Sequence, residues 1–172
     1  MGESAQENKD RIVFELVEAR RKILDTASSL PPEKQDEVFL GAWSVKDLLA
    51  HLVGWDYTNI QAVGELLEAK LPAFYSYYDR DWKTYNARLV EEYRRDDFVE
   101  LLASVEASHR ELINFLGTVP AEEFEKDRGI WSGRYKVTIA RILQAEADDE
   151  DKHHTQMKEF SEGSSPRSTE KG

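Results

Sequence analysis

Trp43-Ser44-Val45-Lys46-Asp47-Leu48-Leu49-Ala50-His51-Leu52-Val53-Gly54-Trp55-Asp56 opens a helix and turns one face of it inward. Ser44 and Asp47 have the form of a capping box, each side chain satisfying a backbone N–H left free at a helix start. Val45, Leu48, Leu49, Leu52 and Trp55 then recur at helical spacing, so one face points into a core. Around that helix His51 falls roughly 60° from Leu48 and roughly 40° from Trp55, on the edge of the buried face. A histidine there titrates near neutrality and needs a partner inside the protein. Taken alone, it reads as a satisfied core histidine more readily than as a ligand.

Outward from this stretch the helical period continues. Residues from about Lys9 to Ser28 carry Ile12, Leu16, Ile23, Leu24 and Ala27 as an apolar stripe, with Glu15, Glu18, Arg20 and Arg21 interleaved. Leu30-Pro31-Pro32 ends that helix. The second helix runs from about Ser44 to Lys70 and is closed by Pro72. A third, from about Asp96 to Gly117, holds Phe98, Leu101, Leu102, Val105, Leu112 and Leu116, and His109 sits inside its stripe. A buried histidine hydrogen-bonded to a neighbouring helix is the expectation for His109. The last helix runs from about Lys136 to Ser161. Gly133-Arg134-Tyr135-Lys136-Val137 echoes Gly41-Ala42-Trp43-Ser44-Val45, which suggests two similar helix entries. No stretch alternates as a strand does. The expected architecture is all-α, four long helices in one domain over residues 9–161, with residues 162–172 a polar, disordered tail.

Between the second and third helices lies a segment rich in aromatic residues, including Phe74, Tyr75, Tyr78, Trp82, Tyr85 and Tyr93. A short extra helix is expected over Asp81–Tyr93. The rings either fill one end of the core or form a pocket wall of the kind that small molecules occupy, and the two are compatible.

With 172 residues the chain supports one domain with a proper core. Its net charge of −11 argues against nucleic-acid partners and against anionic membranes, since phosphates are bound by basic patches. There are no cysteines, so disulfides, thiolate metal sites and a cysteine nucleophile are excluded; any thiol chemistry takes its thiol from a small molecule. The polar N-terminus shows no signal peptide, and no apolar run approaches the ~18 residues of a membrane span. A cytoplasmic protein is expected.

The last helix carries the chemistry. Ile139, Ile142, Met157 and Phe160 define its buried face, and between them the same side bears Glu146, Asp149, Glu150 and His153. Burying these groups uncompensated is very costly, so either a cation is bound or the helix lines a wet cleft. Asp149 and His153 are i and i+4 and project toward one point. With His51 from the facing helix, two imidazoles and a carboxylate converge, a ligand set that suits zinc, nickel, iron or manganese. The second register pairs Glu150 with His154. Glu146, one turn before Asp149, is the candidate general base, or a group that supports the ligands, against the plainer role of partner to a buried arginine or histidine.

The sequence resembles the DinB-like superfamily, including the branch that contains colibactin self-protection hydrolases. The resemblance runs from about Lys9 to Phe160. Its most specific parts are the stretch from Trp43 to Leu52, the segment Trp82 to Asn86, and the helix ending His153-His154-Thr155-Gln156-Met157. It implies an up-down-down-up four-helix bundle, often a homodimer, with a divalent metal held by three histidines. His51 matches the first ligand and His153 the last. Asp149 stands where the family usually has histidine, which implies either an altered metal preference or a lapsed site. The resemblance further implies a metal-dependent hydrolase or small-thiol transferase acting on a small electrophilic molecule, in detoxification or self-resistance. The alternative is a non-catalytic bundle that binds a small molecule or dimerises around a degenerate metal site.

Overall fold

The computed structural model describes residues 2–163. Long helices run over Ala5–Ser28 (α1), Val45–Leu67 (α3), Phe74–Tyr93 (α4), Phe98–Thr118 (α5) and Ile139–Ser161 (α6), with a one-turn helix, Pro32–Gln35 (α2), after the first. A 3-10 turn at Ala121–Glu123 and an antiparallel hairpin of Trp131–Ser132 (β1) and Tyr135–Lys136 (β2) precede α6.

Local chemistry sets the ends of these helices. Ser44 and Asp47 form the reciprocal capping box: Ser44 N–H donates to Asp47 Oδ2 at 2.9 Å, and Asp47 N–H to Ser44 Oγ at 3.3 Å. A second box, Ser4 with Glu7, starts α1 at Ala5, four residues before Lys9. Asp97 caps α5, its Oδ1 accepting from Glu100 N–H at 2.9 Å. At the other end, Gly117 stays inside α5, which runs to Thr118 before Val119-Pro120 breaks it. The second long helix stops at Leu67 rather than Lys70, because Ala69 turns into the left-handed region at φ 58°. Thr138 caps α6, so that helix begins at Ile139; Tyr135 and Lys136 are paired in the hairpin instead.

The echo between residues 41–45 and 133–137 has a structural counterpart. Gly41 (φ 58°) turns the chain between the bridged residues Leu40 and Trp43, and Gly133 (φ 59°) turns it between Ser132 and Tyr135. In both places a left-handed glycine closes a tight reversal just before a buried valine, Val45 or Val137, and a capped helix. The two-residue strands are too short to show alternation, which is why the sequence reads as strand-free.

Two apolar clusters give the helix directions. One joins Ile23 near the end of α1, Leu48 near the start of α3, Val105 of α5 and Phe160 at the end of α6. The other joins Ile12, Val63, Leu112 and Leu143, from the opposite ends of the same helices. The bundle is therefore up-down-down-up, with α3 and α5 parallel. Parallel neighbours need a crossing connection, and α4 supplies it: Phe74 and Tyr75 pack on the second cluster, Val90 and Tyr93 on the first.

The segment expected as a short helix is thus a 20-residue return arm. Its Asp81 is non-helical (φ −154°, ψ 70°) and caps the second half, accepting from Thr84 N–H at 3.1 Å. The helix expected over Asp81–Tyr93 is that half; the aromatic run before it is helical as well. Residues 162–172 were expected as a tail, and 164–172 lie outside the described residues.

The return arm rests on α3 at Gly54. A Cβ there would lie 2.7 Å from Leu89 Cβ. Gly54→Ala should therefore lower stability by about 1–3 kcal/mol by pushing α4 off α3. An unchanged urea midpoint would refute that close approach.

Candidate functional site

Between the two apolar clusters runs a polar layer. Leu16, Arg20 and Ile23 share one face of α1, as Leu52, Asp56, Asn59 and Val63 share one face of α3. Arg20 and Asp56 are therefore carried inward, 1% and 0% exposed. Arg20 donates from Nη1 to Asp56 Oδ2 at 2.8 Å and from Nη2 to Asp56 Oδ1 at 2.9 Å. It also donates from Nε to Glu150 Oε1 at 3.0 Å, with a closer contact from Nη2. Ser108 Oγ completes the group, donating to Asp56 Oδ2 at 2.6 Å. One guanidinium thus ties α1, α3 and α6 together, and Ser108 adds α5.

These residues carry no metal-ligand pattern, and Arg20 reads as part of the solvent face until its i+4 and i+3 apolar neighbours are counted. Glu150 Oε2 is buried without a hydrogen-bond partner among the described residues. Burial raises the Glu150 carboxyl, Arg20 pulls it back and Asp56 raises it again, for a net upward displacement.

Above this layer α3 and α6 bring His51, Asp149 and His153 together, one donor atom of each lying within 4.8 Å of the others. His51 and His153 are 4% and 2% exposed, and their rings meet edge to face with centroids 5.7 Å apart. Asp149 is the exposed member. His153 Nδ1 lies 2.8 Å from Gln156 Oε1. Nε2 faces Asp149 Oδ2 at 3.4 Å. A positive charge between that ring and the carboxylate, a proton or a bound cation, satisfies both. A tetrahedral cation with bonds of ~2.0–2.1 Å holds its ligands about 3.3 Å apart, so the pair has the spacing of ligands.

The electrostatics agree with that donor set. Burial, with repulsion from His153 and Arg20, drives His51 down to about 3 against the pull of Asp149, so it stands as the neutral imidazole that ligates metals. His51 Nδ1 is buried without a partner among the described residues. Burial opposes the ionised form of Asp149, but the neighbouring His153 and His51 outweigh it and hold the carboxyl below its ordinary value.

Glu146 stands one turn below Asp149, half-buried. Burial first, then repulsion from Glu150, Asp149 and Asp56, raises its carboxyl well above the usual range. It is not the partner of the buried arginine; Glu150 and Asp56 are. Nor do Glu150 and His154 form the second register: Glu150 faces Arg20, while His154 lies half-buried on the side of α6 in the field of Lys22.

The hydrogen bond expected for His109 is not made. Both its ring nitrogens are buried without a partner among the described residues, since nearby Asp56 is taken by Arg20 and Ser108. Burial lowers His109 to about 4.

His51, Glu146, Asp149 and His153 open onto a cavity of about 490 Å³. Its far wall is the aromatic segment, with Phe74, Tyr75, Tyr78 and Trp82 facing Trp55 of α3 and Tyr135 of the hairpin. Trp55 meets Phe74 and Tyr78 edge to face at 5.5 and 5.3 Å, and its Nε1–H donates to Asn86 Oδ1 at 2.9 Å. The aromatic run is therefore a pocket wall packed on the core. Burial raises the Tyr78 hydroxyl, and the negative field of Asp149, Glu146 and Asp79 adds to it.

No helix among the described residues is long and apolar enough to cross a membrane. A comparison with curated proteins finds no match. Two solved structures share the fold. An uncharacterised protein from Escherichia coli UTI89 is 15% identical, with a TM-score of 0.73 over 90% of this chain and 93% of that one. The colibactin self-resistance protein ClbS, solved in complex with a dsDNA, is 16% identical, with a TM-score of 0.71 over 88% of this chain and 93% of its own. That second neighbour overturns the expectation, drawn from net charge, that nucleic acid is excluded. Net charge sums over a whole surface, whereas phosphate contacts need only a local set of donors. At such identities the neighbours establish the fold; the sequence itself matches the DinB superfamily over residues 15–157, and the chain belongs to that superfamily.

Proposed function

We propose that this protein is a divalent-metal-dependent enzyme, a hydrolase or small-thiol transferase, that acts on a small electrophilic molecule in detoxification or self-resistance. The observation that carries it is the convergence of His51, Asp149 and His153, one donor atom of each within 4.8 Å of the others, at the floor of an aromatic cavity. His51, Asp149 and His153 hold the metal, which is zinc, nickel, iron or manganese by donor type. Such a metal lowers the pKa of water or of a small thiol, or polarises a leaving group. The chain's own residues do the rest. Gln156 orients the His153 ring through its Nδ1, and the Arg20–Asp56–Glu150 group braces α6 against α1 and α3. Glu146, its carboxyl raised by burial and by the neighbouring carboxylates, takes or returns the proton at its carboxylate oxygen. The aromatic wall excludes water from the substrate. The self-resistance role of ClbS supports the detoxification half of the reading.

One observation favours a second reading, a small-molecule-binding bundle with a degenerate site: Asp149 is the exposed member of the three, at the position where the family resemblance implies histidine. Metal analysis of tag-free protein separates the two. About one equivalent of metal, present as purified or taken up from zinc, nickel or manganese, supports the enzyme; no uptake supports the bundle. The same reading makes the protein a cytoplasmic homodimer, so sedimentation of that sample should give a mass above the 19.8 kDa of one chain.

A further inference from the structure

Three carboxyl groups, Asp79, Glu146 and Asp149, stand on the wall of the aromatic cavity, and among the described residues no lysine or arginine does. Their compensation within the protein is thin. Asp79 accepts from Ser132 Oγ at 3.1 Å, and Asp149 meets His153. Glu146 makes no hydrogen bond or ion pair among the described residues. Beneath them Arg20 is divided between two carboxylates, Asp56 and Glu150, so the layer under the floor adds no positive charge. Arg141 is not on the wall; it stacks on the wall residue Tyr135 with its carbon 4.3 Å from the ring centroid.

Against these acids stand Trp55, Phe74, Tyr78 and Trp82. The faces of such rings are negative, so they attract a cation at short range as the carboxylates attract it at long range. A bare inorganic ion gains nothing from rings that its own water does not supply. An anion meets like charges and negative ring faces, with only neutral donors such as Asn59 Nδ2 and the tyrosine hydroxyls to pair it. A nitrogen cation with an apolar body suits both halves of the wall.

We infer that the cavity takes an organic cation, an amine or quaternary ammonium compound whose charged nitrogen lies against Trp55, Tyr78 and Trp82 within the field of Asp79 and Asp149. This names the substrate class of the site proposed above and rests on that cavity, but not on the metal.

The test uses choline, its uncharged carbon isostere neohexyl alcohol, and the tert-butylacetate anion, three probes of one shape and three charges. Trp55 and Trp82 report binding by fluorescence, in chelator-treated and in zinc-treated full-length protein. Choline should bind at least about tenfold tighter than the alcohol in the chelator-treated protein, and tert-butylacetate should not bind. Asp79→Asn should weaken choline about threefold to fivefold at low salt and leave the alcohol unchanged. Asp79 is exposed, so folding is not at stake in that variant. Equal binding of choline and alcohol, preference for the anion, silence toward all three probes, or choline binding unmoved by Asp79→Asn would each overturn the inference. Choline preference in a protein that takes up no zinc sinks the metal reading and leaves this one standing. Zinc uptake without choline preference does the reverse.

Discussion

His51→Ala should abolish the rise in melting temperature that zinc gives the native protein, while Asp149→His enlarges it. A ligand bound only by the folded state stabilises by about 2.7 kcal/mol at one hundred times its dissociation constant. For a chain of this length that is a rise of roughly 5–10 °C. Removing His51 takes away the one donor that α3 supplies, and two neighbouring donors on α6 alone hold a metal weakly. Asp149→His restores a three-imidazole set, and nickel and copper gain more than zinc from the extra nitrogen. His154→Ala should leave the rise intact, because its side chain lies beside Lys22 and away from the other three. Loss of the response in His154→Ala, with retention in His51→Ala, would mean that Glu150 and His154 are the working pair. A response seen only in Asp149→His would mean an intact scaffold whose site has lapsed.

Arg20→Met should cost about 3–5 kcal/mol, enough to leave the protein marginal or unfolded at neutral pH. The substitution keeps much of the side chain's volume, so the loss comes from charge: Asp56 and Glu150 are left buried with no counter-ion. The triple variant Arg20→Met, Asp56→Asn, Glu150→Gln should recover most of the stability, since no buried charge remains uncompensated. Failure of that rescue would assign the loss to packing.

The deficit of Arg20→Met should also shrink as pH falls from about 7 to about 5. Glu146 and Glu150 are raised above 4.5, so above that pH the folded state holds protons that the unfolded state releases, and each group costs stability as pH rises from its unfolded toward its folded value. Without Arg20 to lower them, both carboxyls rise further. His51 and His109 are displaced downward, so their contribution is present above 6.5 and lost as pH falls. Arg20 helps to lower both, and its removal lets them accept protons more readily. All four groups therefore move the variant toward the native protein as pH drops. A deficit that does not change with pH would show that Arg20 does not set these titrations.

The helices were legible in the sequence because what makes them is local. A capping box acts over three residues, and an apolar stripe shows its period within two turns. The up-down-down-up order came with the resemblance, and the two apolar clusters show it directly. On each helix separately the phases of His51, Asp149 and His153 could be read; that their donor atoms come within 4.8 Å depends on α3 and α6 facing each other across the bundle. Arg20 shows why the rest stayed hidden. Its bond to Glu150 spans 130 residues, and although the apolar neighbours of each on its own helix hint at burial, nothing within a few positions of either names the other as its partner. The side that a charged residue takes at the edge of a stripe is decided by what the facing helix offers it, Asp56 from α3 and Glu150 from α6. The aromatic segment is the same case: composition marked it as unusual, but only the crossing from α3 to the parallel α5 forces it to lie along the bundle and wall the cavity. What a residue does to its own helix is written in its neighbours; what it meets is set by chain closure over a hundred residues or more.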